Sequence, residues 1–288
     1  MRILLPALCQ QGQVYQNYWL SSLEAQKAAA AHNSEVYRKI EDELTQKITQ
    51  QIPGFSMENP EHVRLLQNSR ALPQNQQMFQ QAYQRECIDL NFYAMMGETL
   101  LARGRNHAAQ VALTQGFDKL LFIDCDEGYS FNDIKTLIFS GYPVAAGVVP
   151  LKTYPVPGTF KTSLNYLPFL DDEMFFDGSL RTLEATQRMA RAKKSKWIKV
   201  AFTGTGFMCL DVSVFAKLAE TAEEYMYPNP MTGNPEVHWA FFDGGPMNGI
   251  YFSEDWCLCD KIRDLGIDIM VNIDVRADHM GPHKFVAG

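Results

Sequence analysis

The spacing of apolar positions divides the chain into short apolar runs, typical of buried strands, and longer amphipathic stretches, typical of helices. Strands are predicted from the apolar content of residues 2–8, 88–95, 119–123, 144–149, 198–202 and 267–273. Helices are predicted at 18–31, 98–114, 212–224 and 254–265, and from Ser130 onward. Because strands alternate with helices along the chain, we expect an α/β fold with a mostly parallel sheet.

Two segments depart from this alternation. Residues 34–86 are rich in Gln and charged residues and contain three prolines, which predicts two or three surface helices inserted between core elements. Residues 150–196 also contain prolines and are predicted to form long loops over the open edge of the sheet. We therefore expect one domain over 1–288, with a helical insertion at 34–86.

Charge, apolar content and cysteine spacing indicate where the protein is located and which partners it can bind. The 288 residues carry a net charge of −7, which argues against non-specific binding of nucleic acid by the whole surface. There is no apolar run long enough to span a membrane, and the N-terminus reads as a first strand. The six cysteines have no framework spacing, which favours free thiols in a reducing compartment. We expect a cytoplasmic protein with no membrane partner, located in the host cytoplasm if a phage encodes it.

Carboxylates occur where a predicted strand ends. The run 119–123 is followed by Asp124-Cys125-Asp126-Glu127-Gly128, so two aspartates lie at the carboxyl end of the strand, where α/β proteins bind ligands. Such a pair suits a hard divalent cation that keeps positions open for phosphate oxygens. Because Asp is also common in ordinary turns, this motif alone leaves both interpretations open.

Three further motifs contain groups that suit a reaction centre. Thr203-Gly204-Thr205-Gly206-Phe207 follows a strand, and its glycines allow a close backbone approach to a ligand, as they also allow a tight turn. Phe252-Ser253-Glu254-Asp255-Trp256 opens a helix, where the dipole favours acids and where a carboxylate can accept a proton from a hydroxyl. In the tail, the imidazole of His279 can complete the coordination of a cation.

In this order, the four motifs resemble those of the GT-A glycosyltransferases, in particular the small bacterial and phage-type enzymes related to the large inverting family. Residues 101–106 and 147–152 extend the resemblance, which covers 97–285 and the first strand and leaves 34–86 without a counterpart. It implies a Rossmann-like three-layer α/β/α fold with a mostly parallel sheet. It also implies transfer of a sugar from a nucleoside-diphosphate sugar, most of all a UDP-sugar, to an acceptor hydroxyl.

The resemblance assigns roles to individual residues. Mn²⁺ or Mg²⁺ would be bound by Asp126 and His279, and Asp124 would contact the metal through water or the ribose. Asp255 would be the base of an inverting reaction, and Glu254 would position the acceptor or the sugar. Glu127 departs from the family pattern, because a third carboxylate can compete for the metal. The donor would be bound by Pro6, Ala7, Arg103, Arg105, Asn106, Asp124, Lys152, Gly204, Thr205 and Gly206.

The acceptor is suggested by a basic segment, Arg181–Lys199, which holds seven Lys and Arg residues against the single Glu184. A positive patch on an acidic protein favours an anionic acceptor. DNA with hydroxymethylated bases is slightly favoured over an acidic glycan or a protein hydroxyl. In a duplex, the target hydroxyl would have to be exposed in the major groove, or the base flipped.

Three other interpretations remain. A nucleotidyltransferase would use a similar metal–diphosphate site, but the first strand lacks the basic glycine-rich signature of that class. A nucleotide-sugar or glycan-binding module would not need Asp255 and His279 together. A metal site built from Cys257, Cys259, His279 and His283 is disfavoured, because C-x-C on a helix places the two thiols about 200° apart.

Overall fold

The computed structural model describes residues 1–9, 16–96, 100–152, 164–170, 173–174, 181–228, 233–247, 249–281 and 284–285. Within these ranges the helices are α1 (Gln16–Thr49), α2 (Pro60–Arg70), α3 (Pro73–Glu86), α4 (Leu101–Thr114), α5 (Phe131–Ile138), α6 (Leu183–Lys193), α7 (Val212–Ala219) and α8 (Glu254–Asp264). None of these helices is long and apolar enough to cross a membrane.

The strands of the first half are β1 (Arg2–Cys9), β2 (Asp89–Met96), β3 (Lys119–Ile123), β4 (Glu127–Gly128), β5 (Val144–Val148), β6 (Tyr166–Leu170) and β7 (Glu173–Met174). Those of the second half are β8 (Trp197–Thr203), β9 (Phe207–Asp211), β10 (Glu224–Pro228), β11 (Pro235–Trp239), β12 (Gly245–Met247), β13 (Ile250–Phe252), β14 (Ile269–Arg276), β15 (Asp278–Met280) and β16 (Lys284–Phe285).

The main sheet has nine strands in the order β2-β1-β3-β9-β5-β14-β8-β6-β7. Strand β1 is parallel to β3 and β5 is parallel to β14, while β9 runs antiparallel between β3 and β5. The strands β1, β3, β5 and β14 therefore point in one direction, and β8, β6 and β7 continue the sheet in antiparallel pairs. The predicted α/β fold is confirmed, with a mixed sheet.

Helices cover both faces of this sheet. Leu120 and Phe122 of β3 belong to the large hydrophobic cluster that includes residues of α4, α7 and α8. Leu121 and Ile123, which alternate with them, are equally buried and must point to the opposite face. On that face α5 packs with its buried side chains, Ile134, Leu137 and Ile138. The result is the predicted three-layer α/β/α arrangement.

The chain divides into two compact units. One consists of Met1 with Gln26–Leu90, and the other of Arg2–Ala25 with Asn91–Gly288. In the first unit, Val36 and Ile40 of α1 pack with Cys87, and Leu44 and Ile48 pack with Leu66 of α2. The second unit contains the predicted reaction centre.

Three predicted elements have different bounds from those expected. The helix predicted at 18–31 continues to Thr49, because its apolar stripe recurs at Ala25, Ala29, Val36, Ile40, Leu44 and Ile48. The helix predicted at 212–224 ends at Ala219, and a hairpin of β10 and β11 follows. The prediction of loops throughout 150–196 is wrong, because β6 and α6 lie there, with Thr182 capping α6.

Candidate active site

Backbone hydrogen bonds assemble the loop after β3. The Asp124 amide donates to the Gly206 carbonyl at 3.0 Å, which joins this loop to the glycine loop. Strand β4 pairs with β15 so that His279 lies opposite Glu127, and the Met280 amide donates to the Asp126 carbonyl at 2.8 Å. The D-x-D motif, the glycine loop and the tail are therefore joined through the main chain, although they are far apart in sequence.

Asp126 lies between the side chains of a lysine and a histidine. Lys152 Nζ pairs with one carboxylate oxygen, and His279 Nε2 lies 3.6 Å from the other. Burial alone would raise the pKa of Asp126, but the hydrogen bonds and charges of His279 and Lys152 outweigh it and lower the pKa below the ordinary aspartate value. Asp126 is therefore an ionised carboxylate at neutral pH.

His279 is fixed in one tautomer. Its Nδ1 lies 2.7 Å from the Pro150 carbonyl, which only accepts, so Nδ1 carries the proton and donates it. Its Nε2 then presents either a lone pair or a second proton toward Asp126. A lone pair that faces a carboxylate is favourable only when a cation lies between the two groups, so His279 and Asp126 suit a metal ion. Histidines that bind metals commonly donate their other ring N–H to a backbone carbonyl, as His279 does.

A buried guanidinium connects the D-x-D motif to the start of α8. Arg105 is 2% exposed and donates from Nη1 to Glu254 Oε1 at 2.6 Å and from Nη2 to Asp124 Oδ1 at 3.2 Å. Removing this cation would leave two partly buried carboxylates without compensation. Arg105 therefore holds two predicted site residues at a fixed separation.

Glu127 lies beneath the glycine loop and is 1% exposed. Burial, with the neighbouring charges of Asp124 and Asp126, raises the pKa of Glu127 well above the ordinary glutamate value. The raised pKa favours the protonated form of this third carboxyl group, which is a weaker metal ligand than a carboxylate. A Cβ placed on Gly206 would overlap Glu127 Oε1 and lie 3.1 Å from Asp124 Oδ2, so the loop requires glycine there.

Asp255 is a partly buried acid at the start of α8. Its Oδ1 accepts from the Ser253 hydroxyl and, at 2.9 Å, from the Trp256 amide. A Cβ placed on Gly204 would lie 3.4 Å from Oδ2, so this second oxygen borders the glycine loop. Burial raises the pKa of Asp255, and the Ser253 hydrogen bond and the Arg105 charge offset only part of that effect. A raised pKa makes the ionised carboxylate a stronger base.

Two residues outside the four motifs, one of them the first residue of the basic segment, lie next to the glycine loop or Asp255. Asn165 accepts the Gly204 amide through its carbonyl at 2.8 Å, and its side chain accepts the Val149 amide at 3.0 Å. Arg181 donates from Nε to the Leu164 carbonyl at 3.0 Å, and its charge acts on Asp255. Both lie where loops were predicted, so no periodicity pointed to them.

Three of the residues predicted to bind the sugar donor lie on α4, and the helix geometry turns their side chains in different directions. Arg103 and Arg105 are two residues apart, which places them about 160° apart around the helix axis. The Arg103 guanidinium accordingly lies over the Tyr227 ring at 5.1 Å, away from Asp124. The Asn106 side chain accepts from the Phe241 and Phe242 amides at 3.0 and 2.8 Å, so it anchors the segment after β11.

The other predicted donor ligands are Pro6 and Ala7, within β1, and Thr205, within the glycine loop. Pro6 is buried, and Thr205 is fully buried, with a hydroxyl that finds no hydrogen-bond partner in the described part of the chain. Thr205 therefore offers a hydroxyl inside the loop rather than on its surface.

The residues present fit a divalent cation in part. Within the described ranges, no three His, Cys, Asp or Glu side chains are grouped as a complete metal site. Asp126 and His279 nevertheless converge, and Mg²⁺ or Mn²⁺ commonly takes one or two protein ligands and fills the remaining positions with phosphate oxygens and water. The donor set is therefore suited to a cation that arrives with a diphosphate.

The cysteine-based metal site does not agree with the structure. Cys259 is fully buried and its Sγ lies 3.4 Å from the Thr203 carbonyl, to which it donates. Burial raises the pKa of Cys259 to about 12, so it is a neutral thiol rather than a thiolate ligand. His283, the fourth predicted ligand, lies outside the described residues.

The basic segment Arg181–Lys199 is partly neutralised. Lys196 pairs with Asp274 at 2.6 Å and Lys199 pairs with Asp268 at 2.7 Å. The exposed charges that remain are on α6 and at its C-terminus: Arg188, Arg191, Lys193 and Lys194.

No protein-family model matches the chain, and no curated protein matches it. Among solved structures, it is similar to A197 from STIV, with a TM-score of 0.42, 13% identity, and coverage of 98% of this chain and 86% of that one. It is similar to GalNAc-T7 with UDP, GalNAc and Mn²⁺, with a TM-score of 0.46, 9% identity, and coverage of 97% of this chain and 44% of that one.

A third similar structure is a mannose-1-phosphate geranyltransferase from Thermus thermophilus, with a TM-score of 0.27 and 12% identity over 77% of this chain and 60% of that one. Nucleotide-sugar transferases are thus among the similar structures, and the chain spans less than half the length of GalNAc-T7. At these scores and identities, the likenesses assign neither a family nor a function to this chain.

Proposed function

We propose that this chain is a metal-dependent glycosyltransferase that moves a sugar from a nucleoside-diphosphate sugar, with UDP as the favoured nucleotide, to an acceptor hydroxyl. The observation that carries the proposal is the convergence of four separate motifs. The D-x-D loop is joined to His279 through β4 and β15, to Gly206 by a main-chain hydrogen bond, and to Glu254 through Arg105.

The carboxylates divide into two groups with different tasks. Asp126 has a lowered pKa and, with His279, would bind Mn²⁺ or Mg²⁺. Asp255 has a raised pKa and an oxygen that borders the glycine loop, which suits a base. Environments that push the pKa values of two acids apart are typical of acid and base assignments in active sites.

In the proposed reaction, Asp255 accepts the proton of the acceptor hydroxyl, whose oxygen forms a bond to the anomeric carbon as the bond to the diphosphate breaks. The Ser253 hydroxyl and the Trp256 amide orient Asp255 through Oδ1 and leave Oδ2 for that proton. The bound cation would neutralise charge on the departing diphosphate. Attack opposite to the leaving group inverts the anomeric configuration.

Lys152 and Arg105 would contribute positive charge on the donor side. Lys152 pairs with Asp126 in this structure and is half-exposed, so its ammonium can move to a phosphate when a cation takes its place. Arg105 keeps Asp124 and Glu254 in position, so its role would be to orient these carboxylates rather than to take part in bond making or breaking.

For the acceptor, we propose a polyanion, with DNA carrying hydroxymethylated bases as the favoured case. The support is the exposed basic cluster of α6, defined as Arg188, Arg191, Lys193 and Lys194. An acidic glycan would bind through the same charges and is the alternative.

The proposal is tested by phosphorus NMR of the purified chain with Mn²⁺ and a panel of UDP-, GDP- and dTDP-sugars, with and without hydroxymethylated DNA. We expect release of a nucleoside diphosphate from one donor, faster with acceptor, and loss of that release in Asp255→Asn. The matched control is Asp264→Asn, which makes the same change at the exposed end of the same helix.

Two outcomes would contradict the proposal. In a parallel assay with nucleoside triphosphates and a sugar 1-phosphate, release of pyrophosphate, with no reaction of any sugar donor in the panel, would assign the site to nucleotidyl transfer. Binding of donors with no turnover, and with the same affinity in Asp255→Asn, would assign it to a binding module.

A further inference from the structure

A cavity of ≈ 600 Å³ lies between α4, β2 and β11. Its volume is within the range of about 300–1,000 Å³ that is usual for small-molecule sites. All the residues that line it belong to the second compact unit, so the cavity forms within a single body.

This cavity is separate from the candidate active site. Gln110 and Thr114, which line it, lie about 140° and 180° from Arg105 around the α4 axis. Arg105 faces Asp124 and Glu254, so Gln110 and Thr114 face the opposite side of the helix. A ligand of the cavity would therefore not touch the reacting groups.

The cavity wall contains a buried acceptor without a partner. Gln110 Oε1 is buried, and no hydrogen bond reaches it within the described residues. Leaving such a group unsatisfied is unfavourable, so a ligand that donates a hydrogen bond here would gain affinity. The Glu236 carboxylate also lines the cavity and offers further acceptors.

Behind this wall lies a row of three rings in contact with one another, Tyr93, His107 and His238. Tyr93 Oη lies 2.9 Å from His107 Nε2, and the His107 ring stacks on His238 with 5.2 Å between centroids. His238 is fully buried, and burial lowers its pKa, against the opposing effect of Glu236. Burial therefore favours the uncharged form of His238, and the Tyr93–His107 pair offers polar atoms at the cavity wall.

The lining also excludes some ligand classes. Among the described residues that line the cavity, none is Lys or Arg, so an anion such as phosphate or DNA finds no counter-charge. Trp239 and Tyr93 add two large aromatic surfaces, against which an apolar ring face can pack.

We propose that this cavity is a non-catalytic binding site for a neutral saccharide. Sugar hydroxyls both donate and accept, which matches Gln110, Glu236 and the Tyr93–His107 pair, and the C–H face of a sugar ring matches Trp239. The inference stands on the cavity alone and does not depend on the proposed transfer reaction.

The test is saturation-transfer NMR, followed by calorimetry, on the intact chain without metal or nucleotide. The probes are glucose, galactose, mannose, their N-acetylated forms, and lactose, maltose and cellobiose. We expect at least one to bind, with at least tenfold weaker binding in Gln110→Leu and in Glu236→Gln. Gln67→Leu makes the same change on exposed α2 and should leave binding unchanged. Circular dichroism verifies that the variants are folded.

Asp126→Ala separates this site from the proposed active site, because saccharide binding should persist in that variant. The inference is overturned if no saccharide in the panel binds, or if Gln110→Leu and Glu236→Gln are folded and bind as the wild type does. It is also overturned if binding is lost in Asp126→Ala, or if spermidine, a cation that Glu236 could attract, binds the cavity and no saccharide does.

Discussion

Burial and polar contacts act in opposite directions on Asp255. Burial raises its pKa, while Ser253, Arg105 and the Trp256 amide favour the ionised form and offset part of the rise. A base must be ionised to act, so we expect kcat/KM to fall as the pH is lowered through a value above the ordinary aspartate pKa. The pH profile of sugar transfer measures this value directly.

Asp255→Asn should reduce transfer by about 10²–10⁴-fold, the usual contribution of a general base, with donor affinity retained. The amide is uncharged at any working pH, so the residual activity of this variant should lose the acidic limb of the profile. An unchanged limb would assign the titration to a group other than Asp255.

At the glycine loop, two neighbouring glycines are expected to respond differently to the same substitution. Gly206→Ala would force a methyl group onto Glu127 Oε1, and we expect it to displace the D-x-D loop and lower donor affinity at least tenfold. Gly204→Ala places its methyl group at ordinary contact distance, 3.4 Å from Asp255 Oδ2, so its effect on folding should be small. Thermal unfolding and donor titration distinguish the two, and equal effects would contradict the close packing at Gly206.

The sequence motifs predicted which carboxylates would form the candidate site, but not the groups that these carboxylates contact. Asp124 and Asp126 follow β3 and Asp255 lies in the first turn of α8, two elements that periodicity predicts. His279 lies within β15, which has only three residues and which periodicity did not predict. The hydrogen bond between His279 and the Pro150 carbonyl and the raised pKa of Glu127 depend on burial and on contacts between distant segments. Arg103 and Arg105 point in different directions because they are two residues apart on a helix, and this difference could have been predicted from the sequence.

Among the elements, α4 carries two unrelated tasks on different faces, because Arg105 and Asn106 lie about 100° apart around the helix axis. Arg105 faces the carboxylates, while Asn106 holds the segment after β11 through the Phe241 and Phe242 amides. Asn106→Ala should leave those buried amides without an acceptor and lower the free energy of unfolding by about 1–3 kcal/mol.

The effect of Asn106→Ala should appear as faster hydrogen exchange at residues 240–243, with nucleotide affinity nearly unchanged. Gln115→Ala, at the exposed C-terminal end of α4, is the control. A selective loss of nucleotide affinity without faster exchange would instead support the nucleoside-pocket role expected from the resemblance.

Element boundaries were predictable where a single period persisted and not where the period changed. The buried apolar stripe from Ala25 to Ile48 continues into a segment rich in Gln and charged residues. The predicted helix was ended too early because the change in composition was given more weight than the unbroken spacing of apolar residues. Strand β9 follows the glycine loop directly and pairs with both β3 and β5. Its five residues are too few to show an alternation, and its place in the sheet is set by long-range pairing.

Over the whole molecule, charge is unevenly distributed. The chain carries a net charge of −7, yet α6 and its C-terminus expose Arg188, Arg191, Lys193 and Lys194. If this cluster contacts a polyanionic acceptor, each neutralised phosphate releases a counterion and steepens the dependence of affinity on salt.

Replacing Arg191, Lys193 and Lys194 by Gln should weaken binding to hydroxymethylated duplex DNA and make the plot of log affinity against log salt less steep by about two to three units. The control is a Lys→Gln change at Lys196, which Asp274 already neutralises. Measurement is by fluorescence anisotropy at several salt concentrations, and an unchanged slope would remove this cluster from the acceptor surface.

The most direct test of the account is the affinity of UDP measured by calorimetry with and without Mn²⁺, in the wild type, Asp126→Ala and His279→Ala. We expect tight binding only with Mn²⁺ in the wild type, and at least tenfold weaker binding in both variants, because each removes one of the two converging ligands. Metal-independent UDP binding of equal strength in all three proteins would contradict the proposed cation site.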